Sequence, residues 1–115
     1  MMNDNMKLVL KALRSGEYKQ TKEALQDKDG YCCLGVMCEV FEKETGGTLR
    51  RGTKTGQILG GELDDQEGVQ EWVGLMHCDG TSNNNPPLVS LNDFDGYTFS
   101  QIADFIESEP EGLLV

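Results

Sequence analysis

Residues 31–41, Tyr31-Cys32-Cys33-Leu34-Gly35-Val36-Met37-Cys38-Glu39-Val40-Phe41, are the most apolar stretch of the chain. At about 100° per residue the polar positions Gly35, Glu39, Glu42 and Lys43 fall on one narrow stripe, and the rest of the circumference is apolar. A helix of that kind has to be enclosed on most sides, so the spacing predicts a central helix over about 32–44 with the core built round it. Gly35 lets a neighbouring backbone come close. The 115 residues, 37% of them apolar, supply one small core, which predicts a single domain over 1–115.

The flanking segments supply the partners of that helix. Met6, Val9, Leu10 and Leu13 keep helical spacing over 6–14, with Asp4 or Asn5 as cap and Gly16 as terminator. Residues 17–30 are polar, with Tyr18 and Leu25 as isolated apolar anchors, and the turn signal Asp29-Gly30 suits a short hairpin. Six glycines between 45 and 61 predict a flexible loop or a loose hairpin. Val69, Trp72, Val73 and Met76 predict a short helix capped by Asp64 or Asp65, with Trp72 in the core. Residues 78–87 read as a loop and Leu88-Val89-Ser90-Leu91 as a short strand. Thr98 and Gln101 form a capping box, Tyr97 and Ile102 are placed as its hydrophobic staple, and Phe99, Ile102, Ala103 and Ile106 make the buried face of a last helix that Pro110 stops. Leu113-Leu114-Val115 is either a docked strand or a frayed end. The fold class that follows is α+β: three to four helices packed round the central one, with a small antiparallel sheet drawn from parts of 17–30, 45–60 and 86–91.

Charge divides the chain. Of the formal net −10, residues 1–60 carry all ten Lys and Arg against eight Asp and Glu, whereas residues 61–115 carry 12 Asp and Glu and no Lys or Arg. A segment without cations cannot neutralise itself, so its carboxylates face water, pair with the first half or meet a partner. The sign of that half leads to an expectation of no direct nucleic-acid binding, while competition for a basic groove on another protein fits it. Asp64, Asp65, Glu67 and Glu71 are the candidate partner-binding residues. No run approaches the roughly 20 apolar residues of a membrane span, and Met1–Asn5 lacks the plan of a secretory leader; the expectation is a soluble cytoplasmic protein with no membrane partner.

The cations raise a second candidate. Arg50, Arg51 and Lys54 lie in a Gly- and Thr-rich loop suited to an anion such as a phosphorylated small molecule, with Lys7, Lys11 and Arg14 as a further basic stripe. The loop is no P-loop, because Thr53 separates Gly52 from Lys54 and glycines follow where a helix is needed. Lys54-Thr55-Gly56 matches a β-lactamase triplet without the accompanying Ser-x-x-Lys. Asp93-Phe94-Asp95-Gly96 fails as a calcium loop, since Leu91 and Ile102 would stand at its first and twelfth positions. Four cysteines and the single histidine, His77, suggest zinc, yet on a helix Cys33 and Cys38 point about 140° apart. Buried free thiols and no cofactor are expected, with Cys38, His77 and Cys78 as the fallback set for a metal or thiol site.

Three stretches carry a family likeness: Ala12-Leu13-Arg14-Ser15-Gly16-Glu17-Tyr18-Lys19-Gln20 leading into Tyr31-Cys32-Cys33-Leu34-Gly35-Val36; Trp72-Val73-Gly74-Leu75; and Leu91-Asn92-Asp93 with Phe99-Ser100-Gln101-Ile102-Ala103-Asp104-Phe105-Ile106-Glu107. On these the chain resembles a group of small uncharacterised proteins encoded by tailed bacteriophages and prophages. The group places a Leu-Pro pair before the Trp helix, where this chain has Leu63-Asp64, a departure that touches only a helix start. The resemblance implies an accessory phage protein acting in the cytoplasm of an infected bacterium, with an anti-defence role open to it, and implies no enzymatic activity. Joined to the charge split, it gives a non-enzymatic protein that binds and modulates a host protein through its carboxylate-rich half. Sequestration of a phosphorylated nucleotide-type signal by Arg50, Arg51 and Lys54, and a metal or thiol site at His77, are the alternatives. The oligomeric state is left open, a homo-oligomer included.

Overall fold

The central helix of the computed structural model, which describes residues 2–115, is α2, Cys33–Thr45; Cys33, Leu34, Gly35, Val36, Met37, Cys38 and Val40 are all buried along it. Four more helices and a 3-10 turn surround it: α1 (Asp4–Ser15), the turn Leu63–Asp65, α3 (Val69–Val73), α4 (Leu88–Asp93) and α5 (Phe99–Glu107). α1, α3 and α4 touch α2 directly, and α5 packs on α1 and α4. The α+β class is correct, but the sheet is minimal. It consists of β1 (Gln26–Asp27) and β2 (Gly30–Tyr31), paired antiparallel with Gln26 opposite Tyr31 and Asp27 opposite Gly30. Segment 45–60 contributes one isolated bridge, Arg51 to Ile58, and 86–91 contributes nothing to it.

Gly35 is where hairpin and helix meet. A Cβ placed there would lie 1.8 Å from the carbonyl oxygen of Leu25. Leu25 is fully buried; its carbonyl accepts the Cys32 N–H at 3.2 Å and its own N–H donates to Gly60 at 2.9 Å. One residue thus joins the hairpin arm, the start of α2 and the end of the glycine-rich loop, and it fits only because position 35 has no side chain.

The remaining helices follow from their caps. α1 starts earlier than its apolar spacing suggests, because Asn3 is the cap: its side-chain oxygen accepts the Met6 N–H at 2.8 Å, which places Asp4 and Asn5 inside the first turn. Gly16 ends it as expected. α5 has the expected capping box, with Thr98 accepting from the Gln101 N–H at 3.2 Å and Gln101 accepting from the Thr98 N–H at 2.8 Å, and it buries Phe99, Ile102, Ala103 and Ile106. The last residues are docked, since Met76 and Leu113 share a 2.9 Å backbone bond, Val115 donates to Gly74 at 2.8 Å and Leu113 is fully buried.

Two expectations are corrected. Leu88-Val89-Ser90-Leu91 is the first part of α4, not a strand. Leu88, Leu91 and Asn92 are all buried, at i, i+3 and i+4, whereas a strand would send Leu88 and Leu91 to opposite faces. The helix around Trp72 is also shorter than its apolar spacing: Gly68 (φ 89°) begins it and Gly74 (φ 80°) ends it, both left-handed, so Asp64 and Asp65 belong to the preceding 3-10 turn and Met76 lies beyond the helix, 45% exposed. Trp72 packs edge-to-face on Phe41 of α2, ring centroids 5.7 Å apart.

Gly35→Ala should destabilise the protein by about 2 kcal/mol or more in urea denaturation, because overpacking against backbone outweighs the roughly 1 kcal/mol of helix propensity that alanine adds. A neutral or stabilising result would remove the close contact with Leu25 from this account.

Candidate functional site

The carboxylates of 62–71 are set by what lies beneath them. Leu63, Gln66, Val69 and Val73 are buried at helix-like intervals, and the residues between them, Asp64, Glu67 and Glu71, are turned to solvent. Gln66 is the anchor. Its side-chain oxygen accepts the Arg50 N–H at 2.7 Å, and its amide donates to the carbonyls of Arg50 (2.9 Å) and Leu59 (2.8 Å). Leu63 adds a backbone bond to Cys78 at 3.0 Å. Of the four candidate partner-binding residues, Asp65 alone turns inward, its carboxylate accepting the N–H groups of Gly61 (3.0 Å) and Glu62 (3.3 Å).

The ion pairs decide how the acidic half is neutralised. Arg14 of α1 reaches across to Asp104 at 2.7 Å and Glu107 at 2.5 Å on α5. Arg51 instead holds Glu39 and Glu42 of α2, each at 2.7 Å, and Lys7 holds Asp4 at 3.5 Å, all within the first half. Among the described residues, Arg14 is therefore the one cation that forms a salt bridge to the second half, and Asp64, Glu67, Glu71 and Asp95 have no ion-pair partner.

The candidate anion loop is arranged differently from a phosphate cradle. Arg51 is engaged by two carboxylates and by the Gly56 carbonyl at 2.8 Å, and the Arg50 guanidinium donates to the Asp65 carbonyl at 3.3 Å. Lys54 stands on the exposed turn, without an ion-pair partner among the described residues. A phosphate drawn to Arg51 would have to displace Glu39 and Glu42, both held at bonding distance. Lys11 lies elsewhere, at a cleft of about 280 Å³ between α1 and α2 whose rim mixes Lys11 and Lys43 with Glu17 and Glu44.

The thiols are free and mostly enclosed. Burial pushes Cys32 up to about 11, and pushes Cys33 and Cys38 up as well, so all three are protonated at neutral pH and act as small apolar side chains. Cys38, His77 and Cys78 are not assembled. The group of metal-ligating types that does converge among the described residues is Glu62, Asp64 and Cys78, with ligand atoms within 4.8 Å of one another. Cys78 donates its thiol to Glu62 at 3.7 Å; burial, then the neighbouring Asp64, Glu62 and Asp79, raise its pKa. His77 is exposed beside this group.

Next to the acidic segment lies the larger cleft, about 370 Å³, between α3 and the docked last residues. Val73, Leu75 and Leu114 are among its apolar lining residues, with Met76, and Glu71 is its one side-chain carboxylate.

A family model described as a domain of unknown function (DUF8296) matches residues 2–110. The chain belongs to that family. No curated protein and no solved structure matches it. The DUF8296 match spans α1 through α5, so the outward carboxylates, Arg51 with its partners and most of the larger cleft's lining fall inside the family's extent. No helix among the described residues is long and apolar enough to cross a membrane.

Counting charges finds the acidic half but not the roles within it. Glu62 was not a candidate and Asp65 was, yet the fold makes Asp65 a local cap and brings Glu62 to Cys78, and no local sequence signal separates the two. Arg51→Met is expected to cost about 1–3 kcal/mol in urea denaturation, since it leaves two half-buried carboxylates unpaired, while Lys54→Met changes stability by less than about 0.5 kcal/mol. Equal effects of the two substitutions would contradict a structural role for Arg51.

Proposed function

We propose that this chain is a small non-enzymatic accessory protein of the phage type, which binds a protein of its bacterial host in the cytoplasm through Asp64, Glu67 and Glu71 and so modulates it. The supporting observation is the pairing pattern: three outward carboxylates without ion-pair partners among the described residues, on a segment fastened from below by Leu63, Gln66, Val69 and Val73. A fixed array of like charges costs folding energy through self-repulsion, and a basic partner surface relieves that cost on binding. Electrostatic complementarity of this kind speeds encounter and selects the partner by sign.

The test is a pull-down from bacterial lysate with the tagged chain, washed between about 0.1 and 1 M salt, a range over which the Debye length falls from about 10 to about 3 Å. The expected outcome is a partner retained at low salt, released as salt rises, and absent when Asp64→Lys, Glu67→Lys and Glu71→Lys are combined. A partner held equally by the triple variant and insensitive to salt would overturn this reading.

A further inference from the structure

We propose that the cleft between α3 and residues 113–115 receives an apolar side chain of the partner, with an adjacent Lys or Arg of the same partner segment meeting Glu71. The inference rests on the binding role proposed above and adds the chemistry of what is bound. Its volume of about 370 Å³ is at the lower end of the range for sites that enclose a small organic group. Of its apolar lining residues Val73 and Leu75 are buried beneath the surface, so the apolar surface open to a partner is that of Leu114, Val115 and Met76, the last 45% exposed and with an unbranched side chain able to fit differently shaped apolar groups.

The polar side chains at the cleft are already committed, with one exception. Gln70 donates to the carbonyls of Leu75 (3.4 Å) and Met76 (3.2 Å). Asn3 caps α1 through its oxygen and donates weakly, at 3.4 Å, to the Trp72 carbonyl. Glu71 has no ion-pair partner among the described residues, and no Lys or Arg lines the cleft. An apolar floor beside one available side-chain carboxylate selects a group that is apolar at its end and cationic at its edge. A Leu or Phe next to Lys or Arg in a protein segment has that form, whereas an anionic or purely polar group does not.

The walls are fixed by backbone pairing. Val115 donates to Gly74 at 2.8 Å and Met76 to Leu113 at 2.9 Å, so the apolar floor exists before any partner arrives and little ordering is needed on binding.

The experiment is amide chemical-shift titration of the full isotope-labelled chain with three capped pentapeptides: Gly-Leu-Arg-Leu-Gly, its Arg→Gln analogue, and its analogue with both leucines replaced by serine. The expected result is saturable shifts at Gly74, Leu75, Met76 and Leu114 with the parent peptide. Binding should weaken up to about five-fold with the Gln analogue, the worth of a partly exposed ion pair, and saturation should vanish with the Ser analogue. In the Glu71→Gln chain the parent and Gln peptides should bind alike. Shifts centred elsewhere, a Ser analogue that binds as well as the parent, or an unchanged preference for Arg in Glu71→Gln would each overturn the inference. These outcomes are separate from the salt-graded pull-down: charge-dependent capture with no peptide response at the cleft removes this inference alone, and a cleft that responds while the triple lysine variant still captures its partner removes the broader reading instead.

Discussion

The start of α2 is held by a side chain 59 residues away. Cys32 stands at the cap position and makes no side-chain capping bond, so the first turn of the helix most deeply placed in the core would begin with unpaired N–H groups. Asn92 of α4, fully buried, supplies the missing acceptor: its oxygen takes the Cys33 N–H at 3.2 Å and the Gln20 amide at 2.8 Å. Its own amide donates to the Thr21 carbonyl and to Asp93, both at 2.8 Å. Gln20 then bonds the Tyr97 carbonyl just ahead of α5, also at 2.8 Å. All four bonding positions of Asn92 are filled, and through them α2, the 20–21 segment, α4 and the approach to α5 are fixed relative to one another.

The same device recurs wherever the chain lacks a strand to pair with. A sheet of two residue pairs satisfies few backbone groups, yet buried N–H and C=O groups must find partners. Gln66 clasps the glycine-rich loop at Arg50 and Leu59, Gln26 accepts the Ile58 N–H at 2.8 Å, and Asn5 donates to the Trp72 carbonyl at 2.8 Å. Side-chain amides do here what ladder hydrogen bonds do in a larger sheet. The rigidity they give extends to the proposed binding surface, because Gln66 is buried between the outward carboxylates Asp64 and Glu67.

What was legible in the sequence was local. The nearly all-round apolar segment about Cys33–Phe41 could only be a central helix, and Thr98 with Gln101 marked the start of α5 because both halves of that box lie within four residues. The helical state of Leu88–Asp93 was not legible, since four residues without a clear period fit either state and the deciding fact is the burial of Asn92, a polar residue. The sheet was overestimated for a related reason: the loops that seemed to need strands are satisfied by amides from distant positions. Within the acidic half, composition gave the charge but not the pairing. Arg14 meets Asp104 and Glu107 from 90 and more residues away, and Asp65 turns inward beside an outward Asp64, arrangements that only the tertiary fold determines.

Native-state hydrogen exchange on Asn92→Leu tests the central constraint most directly, since leucine keeps the branching of the side chain and removes every bond. The account predicts that the amides of Cys33, Thr21 and Tyr31 lose protection together, by on the order of 100-fold, as several buried polar groups lose their partners, and lose more than the amides of Ala103 and Ile106 in α5. Loss confined to α4, or a uniform small change across the chain, would contradict the claim that Asn92 ties the start of the central helix to the rest of the fold.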